Sequence, residues 1–302
     1  MNNISICIPT YKRPLMLSKL VLSILACNLN RSLIRDINII IIDNDIDKTA
    51  EKIASELNDK TSAPYKFYYY QFPLKGLANV RNELIRNAFL VNADFIVFID
   101  DDEYVTNEWL NELVKTIIST EADAVRGPVL AKIDQKVSKN ISIWFKREKY
   151  ADNSQIYSLT TGNLILNCAS LQRYNVWFDQ RFNNSGSEDC YFGLQLIKKG
   201  ATIYWADKAV TYEQIPNNRA TLNWLIKRKY RVASTFTYIL KLEKQYFKLL
   251  KKLVISIFYL ASGIIGLIIL FPFKERYWGI LKMSEGVGAI AGLMSIRYKE
   301  YK

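Results

Sequence analysis

The stretch FIVFIDDDE, residues 95–103, joins five apolar residues directly to four acidic ones. A short, continuous apolar run is typical of a strand that is covered on both faces of a parallel sheet. In open α/β sheets, ligands bind at the carboxyl ends of such strands. The stretch therefore predicts a buried strand over 95–99 with a cluster of carboxylates at the ligand-binding edge of a sheet.

Strand and helix patterns alternate along the chain before this stretch. Strands are predicted at 4–8, 37–42, 66–71 and 95–99, and helices at 14–29, 48–57 and 77–90. This order predicts an α/β fold with a doubly wound, mostly parallel sheet. The chain from there to about residue 218 has a mixed α/β pattern, and no internal repeat is visible.

The positive charge is confined to the C-terminal part of the chain. The 302 residues carry a formal charge of +12, and residues 219–302 hold 16 Lys and Arg but only 4 Asp and Glu. This suggests a neutral domain over 1–218, followed by a basic helical region over 219–302. Basic residues beside apolar helices indicate an anionic membrane surface rather than a nucleic acid, with a solvated basic face as the alternative.

Two apolar stretches in this basic region predict membrane association. Residues 253–273 contain no charged side chain. As a helix they would span roughly 32 Å at about 1.5 Å per residue, close to the roughly 30 Å of a bilayer core. Residues 278–296 form a weaker stretch, interrupted by Lys282 and Glu285. One or two transmembrane or re-entrant helices are predicted, and a buried core helix of a soluble domain is the alternative.

The chain contains no histidine, and its four cysteines form no C-x-x-C pair. Ser-His-Asp catalysis and typical zinc sites are therefore excluded. Without a secretory signal at the N-terminus, the cysteines are predicted to be reduced thiols in the cytosol. Carboxylates must carry any proton transfer or metal binding.

The acidic cluster predicts a site for Mg²⁺ or Mn²⁺, which prefer hard oxygen ligands together with phosphate and water. In an extended chain, Asp100 and Asp102 point to one side and Asp101 to the other. A solvated acidic turn is the simplest alternative. Phosphoryl transfer through an aspartyl intermediate is another, but Tyr104 stands where that chemistry normally places a small hydroxyl or β-branched residue.

Six segments in sequence order resemble family 2 glycosyltransferases with the GT-A (Rossmann-like) fold, over roughly residues 4–215. They are IPTYKRP at 8–14, IDND at 42–45, GLANVRN at 76–82, IDDD at 99–102, TGN at 161–163 and SED at 187–189. The resemblance implies a mixed, mostly parallel sheet of the nucleotide-diphospho-sugar transferase type.

The resemblance also implies a donor site for a nucleotide-diphospho-sugar, with a UDP-sugar favoured. The residues expected to line it are Pro9, Thr10, Tyr11, Arg13, Asp43, Gly76, Arg81, Asp100 and Asp101. Mn²⁺ or Mg²⁺ is expected on Asp102 and Asp100. Many GT-A enzymes add a histidine ligand, and Glu213 stands at about that place here, so Glu213 is a candidate third ligand.

The catalytic roles follow from the same resemblance. Asp189 is expected to act as the general base that deprotonates the acceptor hydroxyl, with Glu188 orienting the loop or the acceptor. Gly162 and Asn163 are expected to border the acceptor pocket. A single displacement would invert the anomeric centre. The processive Q-x-x-R-W sequence is absent, which favours addition of one sugar per encounter.

The predicted function is an inverting glycosyltransferase that acts on a glycan or lipid-linked acceptor at the cytoplasmic face of a membrane. One alternative is a nucleotidyltransferase on a similar sheet, although residues 9–14 lack the glycine that its phosphate loop requires. The other is a membrane-tethered sugar-nucleotide-binding protein without activity, against which the intact Asp100, Asp102 and Asp189 argue.

Overall fold

The computed structural model describes residues 1–134, 136–269 and 276–298, without the side chain of Arg276. The chain divides into two compact units. The first unit comprises Met1–Ala131, Arg147–Asn183 and Glu188–Gln214, and the second comprises Lys132–Lys146, Asn184–Ser187 and Ile215–Lys302.

Ten strands and ten α-helices follow one another in the described residues. The strands are β1 Asn2–Thr10, β2 Ile34–Asp43, β3 Tyr65–Gln71, β4 Phe95–Phe98, β5 Glu103–Val105, β6 Ala124–Arg126, β7 Val129–Lys132, β8 Leu164–Asn167, β9 Ile203–Trp205 and β10 Thr211–Gln214. The helices are α1 Pro14–Leu25, α2 Glu51–Asp59, α3 Leu77–Leu90, α4 Trp109–Ser119, α5 Lys139–Ser142, α6 Cys168–Tyr174, α7 Glu188–Lys198, α8 Leu222–Leu242, α9 Tyr246–Ile269 and α10 Arg276–Leu293.

Seven of these strands form the central sheet, in the order β3-β2-β1-β4-β8-β6-β9. Strands β3, β2, β1 and β4 are parallel to one another, and β6 is parallel to β9. Strand β8 runs antiparallel to both β4 and β6. The predicted α/β fold with a mixed, mostly parallel sheet is therefore confirmed. A separate three-stranded sheet has the order β5-β10-β7.

The central strands are apolar on both faces because helices cover both sides of the sheet. Ile39 and Ile41 of β2 belong to one buried cluster, together with residues of α1 and α4. Ile40 and Ile42 belong to a second cluster, together with residues of α3 and α7. Successive side chains of a strand point to opposite faces of the sheet, so consecutive isoleucines of β2 enter the two clusters in turn. Because both faces are covered, both sets are apolar.

The element boundaries differ from the sequence predictions at several ends. The first helix ends at Leu25 rather than at 29, and the second spans Glu51–Asp59 rather than 48–57. Strand β1 continues through Pro9 to Thr10. Its pairing with β4 ends at Cys7, so Pro9 has a paired strand on one side only, which is where proline is tolerated.

The second unit contains the three long helices α8, α9 and α10. Helix α10 approaches both of the others at glycines. A Cβ on Gly288 would lie 2.3 Å from the carbonyl oxygen of Tyr230 in α8, and one on Gly279 would lie 2.7 Å from that of Gly263 in α9. These close backbone approaches leave no room for a larger residue at either position of α10.

Within the described residues, α9 is the one helix long and apolar enough to cross a bilayer. It has 24 residues; its most apolar window of 18 residues has a mean hydropathy of 2.2, and 11% of that window is buried. A core helix of a soluble protein would be mostly buried. The predicted apolar stretch 253–273 coincides with α9 as far as Ile269, and its last four residues, 270–273, lie outside the described part. Residues 278–296 correspond mainly to α10.

Candidate active site at the carboxyl ends of the strands

The acidic cluster lies in a turn rather than on a strand. Strand β4 ends at Phe98, and the backbone N–H of Glu103 donates to the carbonyl oxygen of Asp100 (3.1 Å). Arg13 Nη1 donates to both Asp101 Oδ1 and Asp102 Oδ2, each at 2.9 Å. The prediction that Asp101 points away from Asp102 is therefore wrong, because these residues are not extended and the side chains do not alternate.

The end of β1 and the loop after it approach the same turn. The Thr10 hydroxyl donates to Asp101 Oδ2 (2.9 Å). Pro9 is buried and pairs with Ile42, whereas Tyr11 is half exposed. Of the predicted donor-site residues on this segment, Thr10 and Arg13 contact the acidic turn directly, and Tyr11 presents an accessible ring beside them in the chain.

Burial weakens the acidity of the cluster. It raises the pKa of Asp102 to about 6; Asp100 adds to the shift and Arg13 opposes it. Burial also raises the pKa of Asp101, against the lowering effect of Arg13. Crowded, partly desolvated carboxylates favour a neighbouring cation, and Arg13 supplies one.

Arg81 of α3 links this turn to the start of α7. Its guanidinium is buried and donates through Nη2 to Asp100 Oδ1 (3.1 Å) and through Nη1 to Glu188 Oε1. Gly76 precedes α3 with φ +116°, and a Cβ there would lie 2.2 Å from the side chain of Asn183. Arg81 thus joins two of the predicted acidic sites, and Gly76 permits the turn that begins its helix.

Glu188 and Asp189 differ in their surroundings although they are adjacent in α7. Glu188 is buried, and this burial raises its pKa to about 7 against the opposing charge of Arg81. Asp189 is half-buried, and its Oδ1 accepts the backbone N–H of Cys190 (2.7 Å). The accessible carboxylate is therefore Asp189, while Glu188 is part of the internal network.

Asp43 is fully buried and organises the loop that follows β2. Its Oδ1 accepts the N–H of Asp45 (2.9 Å), and its Oδ2 accepts the N–H of Ala50 (3.1 Å) and the Tyr69 hydroxyl (2.9 Å). A direct contact between Asp43 and the nucleotide base stays a prediction, and it would require some of these hydrogen bonds to rearrange.

Asn163 is also fully buried. Its Oδ1 accepts from Trp109 Nε1 (2.7 Å), and its Nδ2 donates to the carbonyl oxygens of Pro128 (3.0 Å) and Ala209 (2.6 Å). A Cβ on Gly162 would lie 2.6 Å from Glu103 Oε1. In this arrangement the Asn163 amide holds the backbone together, and its expected acceptor contact stays a prediction.

Glu103 and Glu213 face each other across the β5–β10 pair. Glu103 is buried and accepts from the Thr211 hydroxyl (2.8 Å); burial, reinforced by Asp100, raises its pKa well above the ordinary range. Glu213 forms an ion pair with Arg147. The roles of Arg147 and Thr211 could not be predicted from the sequence, because neither lies in a recognisable motif and each meets its partner only through the fold.

The acidic turn has the chemistry of a divalent-cation site. In the described part of the chain, no group of three or more Asp, Glu or Cys side chains is placed so that it could hold a metal ion by itself. Asp101 and Asp102 nevertheless converge on a single cationic group, and Asp100 adjoins them. One or two hard oxygen ligands suffice for Mg²⁺ or Mn²⁺ when phosphate and water supply the others, so Asp100 and Asp102 fit such an ion.

Comparison with known proteins decides the family. The profile described as "Glycosyl transferase family 2" matches residues 5–176, which is more than half of the chain, and the profile described as "Glycosyl transferase family group 2" matches residues 95–290. The chain is a family 2 glycosyltransferase. The matched segment contains the acidic turn, Arg13 and Arg81.

Two curated relatives of this glycosyltransferase are informative. It is 30% identical over 240 residues to the succinoglycan biosynthesis protein ExoM of Rhizobium meliloti, covering 77% of the chain and 74% of that protein. It is 24% identical over 253 residues to the chondroitin synthase of Escherichia coli, covering 71% of the chain but only 35% of that protein.

Solved structures of TarS from S. aureus share the fold of this glycosyltransferase. The structure of TarS residues 1–349 in complex with UDP matches with a TM-score of 0.57 and 15% identity, covering 98% of this chain and 93% of the TarS chain. The complex with UDP-GlcNAc matches with a TM-score of 0.56 at 15% identity, covering 100% and 94%. This likeness identifies the GT-A fold and nothing finer.

Proposed function

We propose that this glycosyltransferase moves a sugar from a UDP-sugar to a glycan or lipid-linked acceptor during the synthesis of a polysaccharide. The relatives named for succinoglycan biosynthesis and chondroitin synthesis support a role in the synthesis of a polysaccharide. The similarity to structures that hold UDP and UDP-GlcNAc supports a UDP-sugar as the donor. Residues 1–218 supply catalysis, and residues 219–302 supply attachment to the membrane.

In this proposal the acidic turn binds the donor's diphosphate. Asp102 and Asp100 would hold Mn²⁺ or Mg²⁺, which would supply positive charge beside the diphosphate of the leaving nucleotide. Arg13 already balances Asp101 and Asp102, so its guanidinium is placed to pair with a phosphate when another cation takes over the carboxylates. Glu213 adds an oxygen ligand only if its pairing with Arg147 opens.

The rest of the donor site is formed by residues around the ends of β1, β2 and α3. The Tyr11 ring stacks on the base, and Pro9 and Thr10 shape the loop that carries it. Asp43 sets the loop after β2 through its three hydrogen bonds. Gly76 and Arg81 complete the site on the side of α3, with Arg81 keeping Asp100 oriented.

Asp189 is the proposed general base. Its carboxylate takes the proton of the acceptor hydroxyl as that oxygen bonds to the anomeric carbon, while the bond from that carbon to the diphosphate oxygen breaks. A single displacement inverts the anomeric centre. Glu188 acts through Arg81 as a positioning residue, and Gly162 and Asn163 border the acceptor.

Attachment to the cytoplasmic face of the membrane is proposed for the second unit. The exposed side of α9 carries Lys248 and Lys251 near its beginning and includes nine apolar residues that are each at least half exposed: Phe247, Leu250, Val254, Ile257, Phe258, Ile264, Ile265, Ile268 and Ile269. The side of α9 turned to α10 includes the polar residues Lys252, Ser256 and Tyr259, beside Leu260 and Gly263. A surface helix of a water-soluble protein buries its apolar residues and exposes its polar ones. The exposed apolar residues of α9 reverse that distribution and suit a helix that faces lipid.

The observation that carries the proposal is the convergence of Arg13, Arg81 and three aspartates at the ends of the parallel strands. The test is incubation of the protein with a panel of UDP-sugars and Mn²⁺ or Mg²⁺. Release of UDP supports glycosyl transfer, and binding without turnover supports an inactive binding protein. A parallel incubation with UTP and a sugar 1-phosphate tests the nucleotidyltransferase alternative, which would release pyrophosphate.

Two variants sharpen this test. Asp102→Asn removes a charge from the acidic turn, and turnover is expected to be nearly abolished. Asp36→Asn removes the same charge from a partly exposed pair with Arg35 at the opposite end of β2, and turnover is expected to stay at the wild-type level. Equal activity in both variants would remove the metal role of Asp102.

A further inference from the structure

One arginine stands in an otherwise apolar row of the central sheet. Arg126 of β6 and Phe98 of β4 both pair with Leu164, from the two sides of β8. Arg126 also pairs with Trp205 of β9. Residues paired in this way share one face of the sheet. Phe98, Leu164 and Trp205 all belong to the buried cluster that contains Phe192 of α7, so the Arg126 side chain lies on the face that α7 covers.

Arg126 lies at the same edge of the sheet as the acidic turn. Strands β4 and β6 are both antiparallel to β8 and therefore run in the same direction, and Phe98 and Arg126 are their last residues. Two strand spacings, roughly 10 Å, separate these two residues. Gly127 follows Arg126, and its N–H donates to the carbonyl oxygen of Asn163 (3.0 Å). Arg126 is therefore next to the segment expected to border the acceptor.

The candidate general base lies beside the same part of the sheet. Arg126 Nη1 donates to the Ser158 hydroxyl (3.2 Å). The next residue, Leu159, packs against α7, because a Cβ on Gly193 would lie 2.5 Å from Leu159 Cβ. Asp189 is four residues before Gly193 and so lies on the same side of α7, one turn earlier. Arg126 thus reaches the segment that packs beside Asp189.

The guanidinium of Arg126 lacks the partners that a buried cation requires. Its Nε atom is buried and makes no hydrogen bond, and among the described residues its single hydrogen-bond partner is Ser158. Its Cζ lies 5.7 Å from the centre of the Trp205 ring, which covers it from one side. Burial lowers the pKa of this guanidinium, and Glu148 and Asp189 are among the charges that oppose the shift. Unfilled donors on a buried cation are costly, and a bound anion would fill them.

The surroundings favour an anion with a single charge. The Tyr150 ring packs against the Trp205 ring (5.2 Å between centroids), and the Tyr150 hydroxyl donates to Glu148 Oε2 (2.8 Å). One guanidinium is therefore flanked by two carboxylates, those of Glu148 and Asp189. A phosphate ester, with a charge of about −1.5 to −2, would be repelled by them. A carboxylate carries one charge, and its two oxygens match the planar fork of arginine.

We propose that Arg126 binds the carboxylate of an acidic sugar in the acceptor, so that this glycosyltransferase selects a glycan that carries a uronic acid. The inference rests on the proposed glycosyl transfer with Asp189 as its base, and it adds the chemical class of the acceptor. In that proposal the donor's diphosphate occupies the acidic turn, and Arg126 lies on the side of the acceptor.

The test measures the binding of three pairs of small probes to the whole chain. Each pair is the methyl glycoside of a uronic acid (glucuronic, galacturonic or mannuronic acid) and that of its neutral counterpart (glucose, galactose or mannose). Binding is followed by ligand-observed NMR in the presence of UDP and Mn²⁺, so that the donor site is occupied. At least one acid is expected to bind about tenfold more tightly than its neutral counterpart, which is the effect of one charge-assisted hydrogen bond.

Arg126→Gln should abolish this preference, so that the acid and its neutral counterpart bind equally. Arg126→Lys keeps the charge without the planar fork and should retain only part of the preference. Arg173→Gln is the matched control. Arg173 is 64% exposed and pairs with Asp123, which precedes β6 at the opposite edge of the sheet, so the preference should stay at the wild-type value.

Melting temperatures separate this role from a structural one. Because the guanidinium has unfilled donors, Arg126→Gln is expected to melt no lower than the wild type. A cation that only stabilises the fold would instead give a lower melting temperature in Arg126→Gln and an unchanged preference for the acid. The preference of the wild type is measured without any variant, so it tests the inference even if Arg126→Gln does not fold.

Equal binding of every acid and its neutral counterpart to the wild type would overturn the inference, as would an unchanged preference in Arg126→Gln. Tighter binding of glucose 6-phosphate than of the best acid would replace the carboxylate site with a phosphate site and would overturn it too. If UDP still binds with Mn²⁺ in the same samples, the proposed function stands and only the choice of acceptor is lost. Absence of UDP binding would refute the proposed function itself.

Discussion

Replacing Arg13 with glutamine tests whether the acidic turn is built around a cation. The Arg13 guanidinium makes two charge-assisted hydrogen bonds of 2.9 Å, to Asp101 and Asp102, and its side chain is 35% exposed. A hydrogen bond to a charged group contributes about 1.5–3 kcal/mol when buried. Because the side chain is partly exposed, solvent weakens both bonds, and their removal should lower the free energy of unfolding by about 2 kcal/mol.

This loss should be visible as a change in melting temperature. For a protein of 302 residues, 2 kcal/mol corresponds to a decrease of about 3 °C. Mn²⁺ should then stabilise Arg13→Gln more than the wild type, because the carboxylates that lost the guanidinium become available to the ion. At about one hundred times its dissociation constant, a ligand adds about 2.7 kcal/mol, which is enough to restore the whole loss.

The assay is thermal unfolding of both proteins in EDTA and across a range of Mn²⁺ concentrations. Arg86→Gln is the matched control, because Arg86 pairs with Glu83 on the surface of α3 and is about half exposed; its melting temperature should not change measurably. An Arg13→Gln protein that melts like the wild type, or that gains no more from Mn²⁺, would refute the reasoning.

Three further predictions concern the residues around the turn. Asp189→Asn should lower the transfer rate by roughly 10²-fold or more while leaving donor affinity unchanged; a collapse of donor affinity, read by calorimetry, would make Asp189 structural. Burial raises the pKa of Glu188 from 4.5 to about 7, so the stability that this carboxyl contributes is complete below pH 4.5 and is lost as the pH rises through about 7. The free energy of unfolding of Glu188→Gln, measured in urea, should therefore rise by about 3 kcal/mol relative to the wild type over that pH range. If the difference between the two proteins does not depend on pH, Glu188 stays ionised beside Arg81. Gly162→Ala should destabilise the protein by about 1–3 kcal/mol, because its Cβ would meet Glu103; an unchanged urea midpoint would contradict this packing.

Most of the sheet could be predicted from the sequence, because β1, β2 and β4 are largely buried on both faces and therefore read as mainly apolar runs. Helix α3 was predicted with its observed limits, Leu77–Leu90. The ends of α1 and α2 were less accurate, since residues after Leu25 keep an apolar character without continuing the helix. The antiparallel insertion of β8 between β4 and β6 depends on long-range pairing that no local pattern reveals.

The identity of the acidic residues was readable, but their geometry was not. Alternation along an extended chain predicted opposite directions for Asp101 and Asp102, whereas the chain turns after Phe98 and one guanidinium reaches both. Equally, nothing in the sequence shows that Arg81 is buried between Asp100 and Glu188. Both features arise from contacts between segments that are distant along the chain.

The central claim is that the acidic turn binds the diphosphate of a nucleotide sugar through a divalent cation. Calorimetric titration of UDP-sugars into the purified protein, with Mn²⁺ and then with EDTA, tests it most directly. The account predicts saturable binding that requires the ion and is lost in Asp102→Asn. Binding of equal affinity in EDTA, or in the Asp102→Asn protein with Mn²⁺, would contradict it.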